Sequence, residues 1–142
     1  MSITKDIVQP ILSQITGDRY TWVEFTNWGF DSGTGWSLAT GWTIGSGVAS
    51  CDGTQTANST MQTTSATIIE ANTTYEIEFD LTLTAGQFRL FLGGFVSTSW
   101  YTSGGHKAAT IVVAGSNNGK VMCQGNADFT GTIDNITIRK MA

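Results

Sequence analysis

The sequence predicts an all-β protein, a jelly-roll β-sandwich of about eight antiparallel strands behind a short N-terminal arm or helix. Three observations carry this. Only 13% of the 142 residues are charged, against about 25% in ordinary soluble chains, so Thr, Ser, Asn and Gly have to cover the surface. Seventeen glycines, a single proline and many threonines suit short strands joined by tight turns, because Thr is stiff at χ1 and Gly accepts positive φ. Finally, Thr74 to Leu83 alternates strictly: Tyr75, Ile77, Phe79, Leu81 and Leu83 interleave with Thr74, Glu76, Glu78, Asp80 and Thr82. That period belongs to a strand with one face in a core and the other in water.

The chain length suits one domain with a real core, which the apolar share of 40% can fill. Residues 1–26 read as an attachment arm and linker, and residues 27–142 as the jelly roll. In the arm, Ile3, Ile7, Ile11 and Ile15, with Val8 and Leu12 beside them, recur at a spacing of four. This spacing lays them on one helical stripe. Pro10 breaks a continuous helix, so the expectation is a short helix beginning near Pro10 or an extended arm. So short a piece is not stable alone and needs a partner surface, for which Ile3, Ile7, Ile11, Leu12 and Ile15 are the contact residues. Tyr20, Trp22 and Phe25, in the linker, are assigned to the same partner.

The strand region then runs in order. Gly41 to Gly53 reads as two short strands around the turn signal Gly45-Ser46-Gly47. Asn58 to Thr64 is a polar strand, and Thr74 to Leu83 is the clearest one. Gln87 to Leu92 puts Phe88, Leu90 and Leu92 on one face and Arg89 and Phe91 on the other. Gly93 to Gly105 reads as a long loop or ragged strand, Lys107 to Ala114 as a strand and Asn117-Asn118-Gly119 as a turn. Lys120 to Gln124 and Gly131 to Arg139 complete the set. Many short strands at regular spacing are the pattern of a sandwich or jelly roll.

Charge and cysteine usage exclude several classes. A net charge of -4 with no basic patch argues against nucleic acid. No apolar run approaches the roughly 18 residues of a membrane span, and the N-terminus lacks the apolar core and cleavage site of a signal peptide, so a soluble, non-secreted chain is expected. Cys51 and Cys123 alternate in phase with apolar neighbours and read as buried free thiols, a disulfide between them being the alternative.

Asn27-Trp28-Gly29-Phe30-Asp31, with Gly35-Trp36 and Gly41-Trp42-Thr43-Ile44, resembles the opening of carbohydrate-binding-module-like jelly rolls. The resemblance continues through Ala49-Ser50-Cys51-Asp52-Gly53, Tyr75 to Asp80 and the terminal Gly131-Thr132-Ile133-Asp134-Asn135-Ile136-Thr137-Ile138. Domains this rich in Thr, Gly and Asn are also similar to those of tailed-bacteriophage virion proteins, and Met1 to Ile11 looks like the N-termini of phage structural proteins. The resemblance implies a virion structural protein, a capsid decoration or head-fibre subunit assembled in the bacterial host cytoplasm. Its partners would be a major capsid or other virion protein and further copies of itself in a homo-oligomer. The alternative is a glycan-binding module for host-surface or mucus polysaccharide.

No grouping of residues supports an enzyme. His106 stands alone in a loop-like Gly and Ser stretch, with no metal-binding or triad spacing. Glu76, Glu78 and Asp80 share a strand face, which reads as a solvated surface that discourages edge pairing. Asp134 is in phase with Ile136 and Ile138 and is therefore expected to point towards the core. A carboxylate there has to be paired, hydrogen-bonded or metal-bound. The resemblance implies one form of this, a structural calcium ligated by Asp134, to which Asp31 and loop carbonyls could contribute; capping of backbone N–H groups is the other reading, and no further cofactor is expected. For glycans the candidates are Phe91, Trp100 and Tyr101, since sugars stack on aromatic rings. Subunit contact and simple loop packing stay open for the same three. Trp36 and Trp42 are expected in the core.

Overall fold

The computed structural model describes residues 20–25 and 27–141, so the stripe of Ile3, Ile7, Ile11, Leu12 and Ile15 lies outside the described residues. Every regular element among the described residues is a β-strand: β1 (Tyr20–Trp22), β2 (Trp36–Leu38), β3 (Trp42–Gly45), β4 (Val48–Asp52), β5 (Ser59–Thr63), β6 (Thr73–Ala85), β7 (Phe88–Leu92), β8 (Val96–Ser97), β9 (Gly105–Val113), β10 (Val121–Gly125) and β11 (Thr130–Met141). They form two antiparallel sheets. The first has the order β3-β4-β11-β6-β9, with β1 also on β11; the second has the order β2-β5-β10-β7-β8. The all-β sandwich expected from the alternation is the architecture observed. It has more strands than the expected eight because β1, β2 and β8 are only two or three residues long.

Alternation builds the core. Tyr75, Ile77, Phe79 and Leu81 of β6 face Phe88, Leu90 and Leu92 of β7 and Val121 and Cys123 of β10, and all are buried. Trp42, Phe88 and Phe129 form one aromatic nest, with ring centroids 5.5–6.4 Å apart. Phe25, Trp28 and Phe30 gather around Trp36 in a second. Both indoles expected in the core are there, and each donates its N–H: Trp36 Nε1 to Asn27 O at 3.3 Å, Trp42 Nε1 to Ser59 O at 3.2 Å. Cys51 and Cys123 are buried free thiols, one in each sheet. Burial pushes both upward in pKa, Cys123 beyond any physiological range.

Local backbone chemistry sets the turns. Ser46 and Gly47, at φ +55° and +77°, are the two central residues between Gly45 and Val48, the primed geometry that matches strand twist. The buried Asn27 amide organises the loop after β1. Its Oδ1 accepts from Asp31 N at 2.9 Å, and its Nδ2 donates to Ser32 O and to Thr34 O, the latter at 3.0 Å.

Residues Tyr20–Trp22 and the strand β11 differ from the sequence expectation. Residues Tyr20–Trp22, placed by the sequence in a linker, pair with Met141, Lys140 and Arg139 and so lengthen the first sheet. The second difference is in β11. Asp134 pairs with Asp80 and Thr137 with Glu78, so Asn135 and Ile136 together oppose Phe79 alone. This is a β-bulge, with Asn135 at φ +54°. The extra residue resets the phase. Ile136 and Ile138 are buried, whereas Asp134, expected to point with them, lies half-buried on the opposite, outward face.

Truncating Phe129, fully buried in the aromatic nest, leaves a cavity that rigid strands cannot close. Phe129→Ala is expected to lower unfolding free energy by about 3–5 kcal/mol, measured by urea denaturation.

Candidate functional site

The two outward faces of the sandwich differ in chemistry. On the first sheet they carry carboxylates whose partners are already present. Arg139 forms an ion pair with Glu76, and Lys140 Nζ lies 2.6 Å from Glu70 Oε2. His106, expected in a loop, lies in β9, where Gly105 pairs with Leu81 and brings His106 opposite Asp80. Its Nδ1 lies 2.8 Å from Asp80 Oδ1 and its Nε2 2.9 Å from Glu78 Oε1. Asn135 Nδ2 donates to the other Asp80 oxygen at 2.8 Å. Hydrogen bonds from Asn135 and His106 hold the Asp80 carboxyl below its usual range, and Asp80 and Glu78 raise the His106 imidazole. The grouping therefore acts as a clasp between β6 and β9, with its carboxylates engaged rather than free for acid/base work.

Tyr20 and Trp22, assigned by the sequence to a partner, sit on this same sheet. Their rings meet edge to face at 5.9 Å, and the Arg139 guanidinium lies 5.1 Å from the Tyr20 ring centroid. Asp31 and Asp134, paired in the calcium expectation, occupy different settings. Asp31 is an exposed loop residue whose N–H is taken by Asn27, and Asp134 accepts from Asn135 N at 2.8 Å. Among the described residues no three His, Cys, Asp or Glu side chains converge so as to hold a metal.

The second sheet presents the other face. Its register sets Ser37, Gln62, Met122, Phe91 and Ser97 in one row across all five strands. In the adjacent row Thr60, Gln124 and Arg89 lie opposite one another. Arg89 is central here: its guanidinium lies 4.7 Å from the Phe91 ring centroid and 4.2 Å from that of Trp100, and Arg89 Nε donates to Gln124 Oε1 at 2.7 Å. Each such cation–π contact contributes about 0.5–1 kcal/mol at an exposed site. The three side chains thereby hold one another in place.

A bulge puts Trp100 there. Phe91 pairs with Ser97, Leu90 N–H is bound by Thr98 Oγ1, and Phe88 bridges to Tyr101, so Ser99 and Trp100 together face Arg89. Without the extra residue, Trp100 would take the inward phase. With it, Trp100 comes out beside Arg89, and Tyr101 turns in to meet Phe79 at 5.7 Å, its hydroxyl raised in pKa by burial. Of the three aromatics singled out from the sequence, Phe91 and Trp100 share a surface and Tyr101 does not. Arg89, Gln124, Gln62 and Met122 were not singled out. The alternation in Gln87 to Leu92 had placed Arg89 on the face of Phe91, but only sheet order brings Gln124 and Trp100 alongside.

No protein-family model matches the sequence, and no curated protein matches it. The fold is similar to solved carbohydrate-binding modules. The CBM22-1 xylan-binding domain from Paenibacillus barcinonensis Xyn10C is 12% identical, with a TM-score of 0.57 over 87% of this chain and 97% of that one. The CBM22-1 and GH10 modules of Clostridium thermocellum xylanase 10B, solved with xylohexaose, are 11% identical with a TM-score of 0.57, over 88% of this chain and 29% of theirs. A family 16 carbohydrate-binding module is 12% identical with a TM-score of 0.50, over 82% and 98%.

The His106 clasp makes a pH-dependent contribution. A raised imidazole pKa stabilises the fold fully below its ordinary value of about 6.5 and loses that contribution as pH rises through the folded value. His106 is expected to titrate above 6.5 by NMR, and Asp80→Asn to bring it back towards 6.5. His106→Gln should narrow the difference in melting temperature between pH 5.5 and pH 8.5, measured by scanning calorimetry.

Proposed function

We propose that this protein is a non-catalytic glycan-binding module that holds a polysaccharide across the outward face of its second sheet. The observation that carries the reading is the Phe91–Arg89–Trp100 assembly, two aromatic rings locked around a guanidinium towards one edge of a polar sheet face. Sugar C–H faces stack on aromatic rings, while amide and guanidinium groups orient the hydroxyls. Gln62 and Gln124 supply the amides, and the face extends over five strands, a length that suits a polymer rather than a single sugar. Support comes from the company this fold keeps: the similar structures include carbohydrate-binding modules, one described as xylan-binding and one solved with xylohexaose.

The arm would then be the tether. Burial of Ile3, Ile7, Ile11, Leu12 and Ile15 against a larger assembly would display the module, and many copies would convert weak glycan contacts into avidity. A phage virion is the setting that the sequence resemblance implies, with a capsid or other virion protein as the docking partner. That part of the proposal rests on the sequence alone.

Trp100→Ala and Phe91→Ala are each expected to weaken polysaccharide retention about tenfold or more, equivalent to about 1.4 kcal/mol. Affinity electrophoresis through gels containing xylan, galactan or mannan would measure it. Thr110→Ala, on the opposite face, should leave retention unchanged. Unaltered retention in both aromatic variants would remove this face as the site.

A further inference from the structure

The outward charges of the sandwich are segregated. The strand carboxylates Asp52, Glu76, Glu78, Asp80 and Asp134 all lie on the first sheet. The outward face of the second sheet carries Arg89 and, among its described strand residues, no acid. The other guanidinium that stacks on aromatic rings, Arg139, is ion-paired with Glu76, and Lys140 and His106 also have carboxylate partners. Arg89 makes no ion pair among the described residues; its Nε is held by a neutral amide, Gln124, and its guanidinium lies over the rings of Phe91 and Trp100. In a chain of net charge -4 this is a cation with no carboxylate partner among the described residues.

We infer that the ligand is an acidic glycan, whose carboxylate or sulfate is taken by the terminal guanidinium nitrogens of Arg89 while the adjoining rings stack on Phe91 and Trp100. This deepens the glycan-binding reading and rests on it. Three features favour an anionic over a neutral sugar. The stacked guanidinium is already oriented by Gln124 and two rings, so little side-chain freedom is lost on binding. Its Nη groups form a planar fork that matches a carboxylate or sulfate with two parallel hydrogen bonds. The carboxylates of β6 and β11 lie on the opposite outward face, and the strands of the second sheet place no acid beside a bound anion. A neutral polymer would use the rings and amides but leave the charge without a counterpart.

The full-length chain would be run in affinity gels containing polygalacturonate, the same polymer after carboxyl reduction, dextran sulfate, or dextran. The expected result is retention by an anionic polymer at least about tenfold stronger than by its neutral counterpart, falling as salt is raised from 0.05 to 0.5 M, as screening requires. Polygalacturonate retention identifies a carboxylate and dextran sulfate retention a sulfate. Arg89→Gln should abolish the preference, and Arg89→Lys should restore part of it, because the charge returns without the fork. Circular dichroism would verify the fold of each variant. Equal retention of charged and neutral polymers, lost in Trp100→Ala, would overturn the acidic-glycan inference and leave the glycan face standing. A preference that persists in Arg89→Gln would also overturn it. No retention on these gels or on the neutral polysaccharides above would overturn the glycan-binding reading itself.

Discussion

The first sheet depends on β11. One edge of this strand hydrogen-bonds to β6 over nearly its whole length, and the other is shared between β4 near its start and β1 near its end. It can take three neighbours because it is twelve residues long, so β4 and β1 occupy different stretches of one edge; on the other edge Gly131 lets β6 come close, since a Cβ there would stand 2.0 Å from Thr82 O. The last strand of the chain therefore closes the sheet, and elements more than a hundred residues apart in sequence meet on it. Such non-local pairing is assembled at a large loop-closure cost, repaid only when the aromatic nests are buried.

What distinguishes the two outward faces is where strict alternation fails. One extra residue at Asn135 turns Asp134 outward beside Asp80, so the carboxylates of β6 and β11 gather on a single surface with His106, Arg139 and Lys140 as counter-charges. One extra residue between Thr98 and Tyr101 turns Trp100 outward beside Arg89 and sends Tyr101 into the sandwich. Bulges of this kind re-aim side chains without disturbing the core. The same device thus produces a self-satisfied acidic surface on one side and an aromatic surface with an unpaired cation on the other.

The second of these surfaces is where an external ligand has most to offer. On the first sheet each strong charge described above is already engaged by a neighbour, so binding there would have to break existing pairs. On the second, the rings of Phe91 and Trp100 and the guanidinium of Arg89 are fixed in place by one another and by Gln124. A ligand loses less of its interaction energy to ordering a surface that is already ordered.

The sequence by itself determined the all-β class, the alternation of β6 and β7, the burial of Trp36 and Trp42 and the turn at Ser46-Gly47, because each depends on a local period or on backbone preference at one or two residues. It also marked Phe91, Trp100 and Tyr101 as the candidate rings. Only the tertiary structure decided the rest. The face on which Asp134 lies, the separation of Tyr101 from Trp100 and the engagement of His106 all turn on bulges and registers, and a single-residue offset reverses every side chain beyond it. The meeting of Arg89 with Gln124 and Trp100 depends on which strands are neighbours. Strand order is set by the burial of the whole core, and no short stretch of sequence contains it.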